Sequence, residues 1–221
     1  MAQGADQLAN TLTDSKEKNA GTVRITASTP VAFQILAPVL LQMRQVLPDI
    51  QVELVASNTV SNLLRREADI AVRMVRPQQG SLIAKKMGDV SLGAFAHRDY
   101  LARRSPIRQP LDILSHELIG GDTDATLLNG FKAMGFPVQK ELFALRTDDL
   151  IVQWQAVRAG LGIGFVACFL ASTDADVVAV LPDTLHIPPV PMWLAVHRKI
   201  RTSRPIRSVF DFLAGTLPDA I

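Results

Sequence analysis

The sequence has few cysteines and few aromatic residues, and each shortage excludes a class of protein. Its 221 residues contain one cysteine, Cys168, so the chain can form no internal disulfide and no zinc site built from several cysteines. Aromatic residues make up 5% of the chain, too few for the stacking surfaces that bind single-stranded nucleic acid. The four histidines do not occur at the spacing of helical metal ligands. The sequence therefore predicts neither a metal site nor a cofactor.

Long apolar runs and an excess of one charge are also missing. The longest apolar stretch, residues 159–171, contains 13 residues with three glycines, which is too short to span a bilayer. Residues 1–20 are polar and lack the apolar segment of a secretory signal peptide. The net charge of +2 neither requires nor excludes a nucleic-acid partner. These features predict a cytoplasmic protein that does not contact a membrane.

The pattern that the chain does contain is a regular alternation of strands and helices. Period-two alternation predicts strands over 23–27, 50–55 and 69–74, and helical spacing predicts helices over 30–47 and near 60–64. This order favours a parallel sheet with right-handed crossovers and an α/β fold. Further strands are predicted over 81–86, 89–96, 118–120, 142–146, 163–166, 177–180 and 192–197. The helices that follow 89–96 are predicted over 97–104, 122–134, 148–159 and from residue 203 onward.

None of the local motifs predicts catalysis. One segment matches the residue types of a dinucleotide-binding fingerprint, Gly162-Ile-Gly-Phe-Val-Ala167. It follows a predicted helix and leads into a predicted strand, however, which favours a helix end with a tight turn. The pair Asp148 and Asp149 precedes an apolar helix and is predicted to cap it. The chain contains neither the G-x-S-x-G turn of serine hydrolases nor a phosphate-binding P-loop. We therefore expect a binding protein and not an enzyme.

Four segments together resemble the effector-binding domain of LysR-type transcriptional regulators, and their order and spacing match over about residues 21–217. The segments are Gly21-Thr-Val-Arg-Ile25, Pro48-Asp-Ile-Gln-Val-Glu-Leu54, Arg66-Glu-Ala-Asp-Ile-Ala-Val-Arg73 and Val157-Arg-Ala-Gly-Leu-Gly-Ile-Gly164. One departure is Ala167, where members of that family often carry proline.

The resemblance implies two Rossmann-like subdomains with a cleft between them, as in periplasmic binding proteins. The first would comprise 21–91 plus 195–221, the second 92–194, and residues 1–20 would end a linker helix. It also implies a small-molecule effector, a homodimer through helix 30–47 and strand 50–55, and a tetramer as a further option for the full-length protein. The types of the candidate contact residues predict that this effector is polar or anionic. DNA would be contacted only through an N-terminal helix-turn-helix that this sequence does not include. A transport solute-binding protein is the alternative function, which the missing signal peptide disfavours.

Candidate ligand contacts follow from the rule that α/β sheets bind ligands at the carboxyl ends of their strands, beside helix N-termini. Thr29 and Thr59 stand at predicted helix starts that favour an anion, and Arg73 or Arg76 can reach a carboxylate. The alternative is that the threonines only cap helices and the arginines point to solvent. The predicted effector-binding residues are Ser28, Thr29, Ser57, Thr59, Arg73, Arg76, Gly121, Asp122, Thr123 and Thr147.

Overall fold

The structure is a computed structural model that describes residues 19–58, 68–78, 80–136, 138–198 and 203–221. The chain divides into a first unit, Met1–Asp89 with Pro191–Ile221, and a second unit, Val90–Val190. The chain therefore changes unit at 89/90 and 190/191, whereas the sequence suggested 91/92 and 194/195. The predicted linker residues 1–18 and the predicted helix near 60–64 lie outside the described residues.

The elements are numbered here in chain order. The strands are β1 (Gly21–Ala27), β2 (Ile50–Ala56), β3 (Ile70–Arg73), β4 (Leu82–Val90), β5 (Leu92–His97), β6 (Leu118–Gly120), β7 (Phe143–Arg146), β8 (Gly164–Ala167), β9 (Val177–Ala179) and β10 (Val190–His197). The α-helices are α1 (Ala37–Val46), α2 (Arg98–Ala102), α3 (Thr126–Ala133), α4 (Leu150–Arg158), α5 (Cys168–Ala171) and α6 (Arg204–Thr216). A π-helical segment, Val31–Leu36, leads into α1, and short 3-10 helices cover Pro110–Ser115, Lys140–Leu142 and Leu217–Ala220.

The first unit is built on a five-stranded sheet in the order β2-β1-β3-β10-β4. Strand β1 runs parallel to β2 and to β3, as the sequence predicted. Strand β10 runs antiparallel to β3, so the sheet is mixed and the prediction of a parallel sheet holds only for β1 to β3. Val23, Ile25 and Ala27 of β1 are fully buried, which places this inner strand in the core.

Helix α6 shows why an amphipathic helix packs as it does. Ile206, Val209, Phe210 and Leu213 recur every three or four residues, and all four are buried. Pro205 occupies the first turn, where a missing N–H removes no helical hydrogen bond. The sequence predicted both the start of this helix and its buried face, and the structure confirms them.

The second unit contains a three-stranded antiparallel sheet in the order β8-β5-β9 and a parallel pair of β6 and β7. Phe131 is at the centre of one apolar cluster and meets Phe165 edge to face, with the ring centroids 5.2 Å apart. Trp154 and Val157 of α4 belong to a second cluster. Helix α3 begins at Thr126 and not at residue 122 as predicted, because residues 121–125 form a loop around the Asp148 carboxylate.

The end of α4 explains the glycine motif. Gly160 has φ of 73°, its N–H donates to the Val157 carbonyl, and the N–H of Leu161 donates to Ala156, which together form a Schellman cap. Gly164 then begins strand β8. The motif is therefore a helix end followed by a strand, as the sequence predicted, and not a dinucleotide-binding turn.

Candidate functional site

Polar side chains collect at one end of the first unit's sheet. Thr26 is in register with Ala71, and Trp193 lies opposite Arg73 in the antiparallel pair, so Thr26, Arg73 and Trp193 occupy the same face of the sheet. Ser28 follows β1 two residues after Thr26 and continues that face. We call Ser28, Thr29, Asn58, Arg73 and Trp193 the strand-end site.

Arg73 is a buried cation held by neutral oxygens. Arg73 is 5% exposed, and this burial lowers its pKa below the ordinary arginine value. Nη2 donates to the hydroxyl of Thr26 at 2.6 Å, and Nη1 donates to the carbonyl oxygen of Ser57. No carboxylate of the described residues forms a salt bridge with Arg73. Because arginine stays protonated in proteins, this buried charge favours an anionic partner.

Three buried polar atoms of the strand-end site lack a hydrogen-bond partner among the described residues. They are Ser28 Oγ, Arg73 Nε and Trp193 Nε1. Buried polar groups are paired in the great majority of proteins, so such atoms mark a place for an external partner. All three can donate a hydrogen bond, and two of them can only donate. The strand-end site is therefore chemically suited to a ligand group that accepts hydrogen bonds.

Asn58 connects the loops that follow β1 and β2. Its Oδ1 accepts from the backbone N–H of Thr29 at 2.9 Å and from the Thr29 hydroxyl at 3.1 Å. The expected capping by hydroxyls is therefore wrong: the Thr29 hydroxyl donates to Asn58, and the Ser28 hydroxyl has no partner in the described part of the chain. Thr59 lies outside the described residues.

Arg76 is exposed and stacks on an indole. Its guanidinium carbon lies 5.3 Å from the centroid of the Trp193 ring, a cation–π distance. The sequence named Arg76 but missed Trp193 and Asn58 as site residues. Trp193 comes next to Arg73 only through the pairing of β10 with β3, 120 residues apart in the chain, and local motifs carry no signal of that pairing.

In the second unit, two of the predicted contact residues, Asp122 and Thr123, bind the carboxylate of Asp148. Asp148 accepts from the backbone N–H groups of Asp122 at 2.8 Å, Thr123 at 3.1 Å and Asp124 at 3.1 Å, and also from the Thr123 hydroxyl. The Thr123 hydroxyl is the largest of these influences, and together they lower the pKa of Asp148 to about 2. Asp148 is thus a loop anchor and not the helix cap predicted for the pair.

The cap of α4 is Asp149 alone. Its carboxylate accepts from the N–H groups of Ile151 at 2.8 Å and Val152 at 3.1 Å, the geometry of an N-cap. Thr147 is oriented by its neighbours, since its hydroxyl accepts from the Asp149 N–H and its carbonyl accepts from Gln153 Nε2 at 2.6 Å. Gly121 packs so closely that a Cβ there would lie 2.4 Å from the carbonyl oxygen of Asp124.

The Asp148 anchor predicts a dependence of stability on pH. A carboxyl whose pKa falls from 3.8 to about 2 on folding stabilises the fold above about pH 4, and this contribution is lost as the pH falls toward 2. We expect Asp148→Asn to remove this component of the pH dependence, measured by urea unfolding between about pH 2 and pH 5. Thr123→Val should reduce it in part. An identical pH profile in wild type and Asp148→Asn would contradict the anchor.

No helix of the described ranges has the length and apolar character needed to cross a bilayer. Within the same ranges, no three His, Cys, Asp or Glu side chains come together as a metal site would require.

Comparison with known proteins identifies the family to which the chain is similar. Residues 16–218 match the family described as the LysR substrate binding domain. HTH-type transcriptional regulator PtxR of Pseudomonas aeruginosa is 28% identical over 167 residues, which cover 73% of this chain and 52% of the relative. HTH-type transcriptional regulator CrgA of Neisseria meningitidis serogroup C is 26% identical over 157 residues, covering 70% and 52%. The chain thus spans about half the length of these relatives.

Two solved structures show the same fold. The regulatory domain of CrgA from Neisseria meningitidis superimposes with a TM-score of 0.80 at 22% identity, covering 90% of this chain and 99% of that domain. The full-length virulence activator AphB of Vibrio cholerae gives a TM-score of 0.71 at 22% identity, covering 97% of this chain and 76% of AphB. At these identities the likeness concerns the fold.

Proposed function

Because this chain belongs to the LysR substrate binding domain family, we propose that it is the effector-sensing and dimerising part of a bacterial transcriptional regulator. The observation that carries the sensing role is the group of three buried, unpartnered donor atoms at the strand-end site. The relatives compared above are transcriptional regulators and not transport solute-binding proteins. This supports a sensor over both the transport alternative and an enzyme.

The proposed effector is a small anion. Arg73 supplies a buried positive charge that donates to the neutral oxygens of Thr26 and Ser57. A bound carboxylate would give that charge its counterion and give Ser28 Oγ and Arg73 Nε an acceptor, and charge-assisted bonds of this kind are the strong ones. Thr29 stays a predicted contact through the loop that Asn58 holds.

The four predicted contacts of the second unit, Gly121, Asp122, Thr123 and Thr147, stay a prediction. Asp148 already accepts from the backbone N–H groups of residues 122–124. We therefore propose that this loop contacts an effector through its side chains and not through these amides.

Dimerisation is proposed through the edge of the first unit's sheet. Strand β2 is the outermost strand on its side, and Leu54 on it is 39% exposed. The helical segment before and through α1 exposes large apolar side chains as well, with Phe33 at 52% and Leu41 at 67%. Exposed strand edges and apolar patches are commonly covered by a partner. A second copy of this chain pairing through α1 and β2 would cover both.

In the full-length protein, we propose that DNA is contacted by an N-terminal helix-turn-helix, and that the protein works in the cytoplasm, where its operator is. Effector binding would act as a population shift, since a ligand that prefers one conformation of the assembly biases it toward that conformation. The full-length protein AphB, which shares this fold, is described as a virulence activator.

Replacing Arg73 tests the effector proposal. Wild type should bind at least one carboxylate from a panel of benzoate, 2-oxoglutarate and citrate, and should not bind benzylamine, measured by calorimetry. Arg73→Met should weaken carboxylate binding by about 30-fold, because a hydrogen bond to a charged group contributes about 1.5–3 kcal/mol.

Arg44→Met is the matched control, because Arg44 also donates to backbone carbonyls of the first unit, at Pro48 with 2.8 Å and at Ile50 with 3.3 Å, but belongs to α1. It should leave the affinity within about twofold, the scatter expected for a site distant from the ligand. Thermal unfolding of both variants separates loss of binding from loss of fold. Binding of benzylamine, no carboxylate binding to wild type, or equal affinity in folded Arg73→Met would each contradict an anion site.

A further inference from the structure

We infer that the indole N–H of Trp193 is a direct hydrogen-bond donor to the effector, and that the strand-end site takes a carboxylate held between Arg73 Nε and Trp193 Nε1. The inference rests on the proposed sensing function and adds to it a residue and a head-group chemistry. It comes from the pairing of β10 with β3 and from the burial of the indole nitrogen.

The sheet register places the side chains of Trp193 and Arg73 next to each other. Trp193 and Arg73 are Cα partners in an antiparallel pair, so their side chains leave the same face of the sheet with Cβ atoms about 4.5–5.5 Å apart. Ser28 continues the next strand, since Ala27 before it pairs with Val72 before Arg73. The three unpartnered donors therefore come from adjacent positions on three neighbouring strands.

The indole ring is also held in place. The Arg76 guanidinium covers one face of the ring at 5.3 Å, a contact that orients the indole and adds positive charge beside it. The nitrogen at the ring edge is buried, and a buried tryptophan N–H usually has an acceptor. No described group of this protein accepts from it, and a ligand acceptor would satisfy it.

The donor set defines the head group. Arg73 Nε and Trp193 Nε1 can only donate, and Ser28 Oγ can donate as well as accept. An ionised carboxylate only accepts and offers about four lone-pair positions on two oxygens, which is enough for all three donors. An ammonium or amide N–H facing the same atoms would place donor against donor beside a buried cation. The site therefore selects carboxylates over amines through both charge and hydrogen bonding.

The two tryptophans of the sequence provide a direct test by NMR of ¹⁵N-labelled protein. Each contributes one indole N–H signal, and Trp154, buried in the second unit at 2% exposure, is the internal reference. The probe is acetate, which is the carboxylate head group alone, titrated against chloride at equal ionic strength. We expect the Trp193 indole signal to move downfield and saturate with acetate only, while the Trp154 signal stays. Trp193→Phe, which assigns the signal, should weaken acetate binding about tenfold, and Trp154→Phe should not.

The outcomes separate this inference from the proposed function. If the backbone signals of Ser28 and Arg73 saturate with acetate while the Trp193 indole signal does not move, the anion site stands and the role of Trp193 is overturned. Unchanged acetate affinity in folded Trp193→Phe overturns it as well. If none of the three residues responds to acetate beyond the chloride control, both the inference and the anion site are contradicted.

Discussion

Replacing Leu41 with glutamate is expected to convert the proposed dimer to a monomer. Leu41 is 67% exposed on α1, one helical turn from Ala37, in the part of the surface proposed to pair with a second copy. In a two-fold interface each substitution occurs twice, so two charges would be buried against apolar surface, at about 2–3 kcal/mol each. The dimer dissociation constant should rise by at least about 100-fold. Sedimentation velocity across micromolar concentrations measures this change.

Leu111→Glu is the control for that substitution. Leu111 is 54% exposed, but it belongs to the 3-10 helix Pro110–Ser115 of the second unit. It should leave the association unchanged, which would show that position and not added charge causes dissociation. A wild-type protein that sediments as a monomer throughout, or a Leu41→Glu protein that remains dimeric, would contradict pairing through α1 and β2.

The fold was largely predictable because its elements are encoded locally. The alternation of apolar residues in 23–27 and their helical spacing in 206–213 each reflect one buried face. Such a pattern predicts the element wherever the fold provides a core for that face to pack against. The local sequence pattern did not predict the secondary structure where a contact from elsewhere in the chain determines it. The predicted helix starts at residue 122, but the N–H groups of residues 122–124 donate to the Asp148 carboxylate, so α3 begins at Thr126.

The candidate site divides in the same way. Ser28, Thr29 and Arg73 were predictable because each follows or ends a strand, and parallel strands place those ends together. Trp193 was not predictable, because the direction of β10 in the sheet is a tertiary property. Asn58 was not among the predicted contact residues, although its side chain accepts from Thr29. Sequence order thus identifies the edge of the sheet where polar groups gather, and pairing decides which of them meet.

Gly162→Ala is expected to destabilise the second unit strongly. A Cβ at this position would lie 2.3 Å from the carbonyl oxygen of Glu117 and 2.9 Å from its carbonyl carbon. These are backbone atoms, which cannot rotate away as a side chain can. The same carbonyl accepts from the N–H of Ile163 at 2.8 Å, and Ile163 in turn accepts from Ile119 at 2.9 Å. Separating the two segments would therefore stretch the hydrogen bonds that join residue 163 to β6.

The Glu117 backbone is held from its other side too, which is why the strain cannot relax cheaply. Its N–H donates to the hydroxyl of Tyr100 at 3.0 Å, and that hydroxyl donates to Glu117 Oε2 at 2.6 Å. Tyr100 is 3% exposed, and burial is the main reason that its pKa rises to about 12, so this bond persists across the usual pH range. Overpacking a well-ordered interior costs about 1–3 kcal/mol, and a backbone obstacle places Gly162→Ala at the upper end.

Gly130→Ala gives the opposite expectation for the same chemical change. Gly130 lies inside α3, and a Cβ there would meet no atom within 4 Å. Alanine in a helix interior is about 0.5–1 kcal/mol more favourable than glycine, so this variant should unfold at a higher temperature. At about 2–4 °C per kcal/mol for a chain of this size, we expect Gly162→Ala to lower the melting temperature by about 6–12 °C and Gly130→Ala to raise it by about 2 °C. Calorimetric unfolding of both beside wild type measures the difference, and equal melting temperatures for the two variants would show that the segment carrying Glu117 yields to a methyl group.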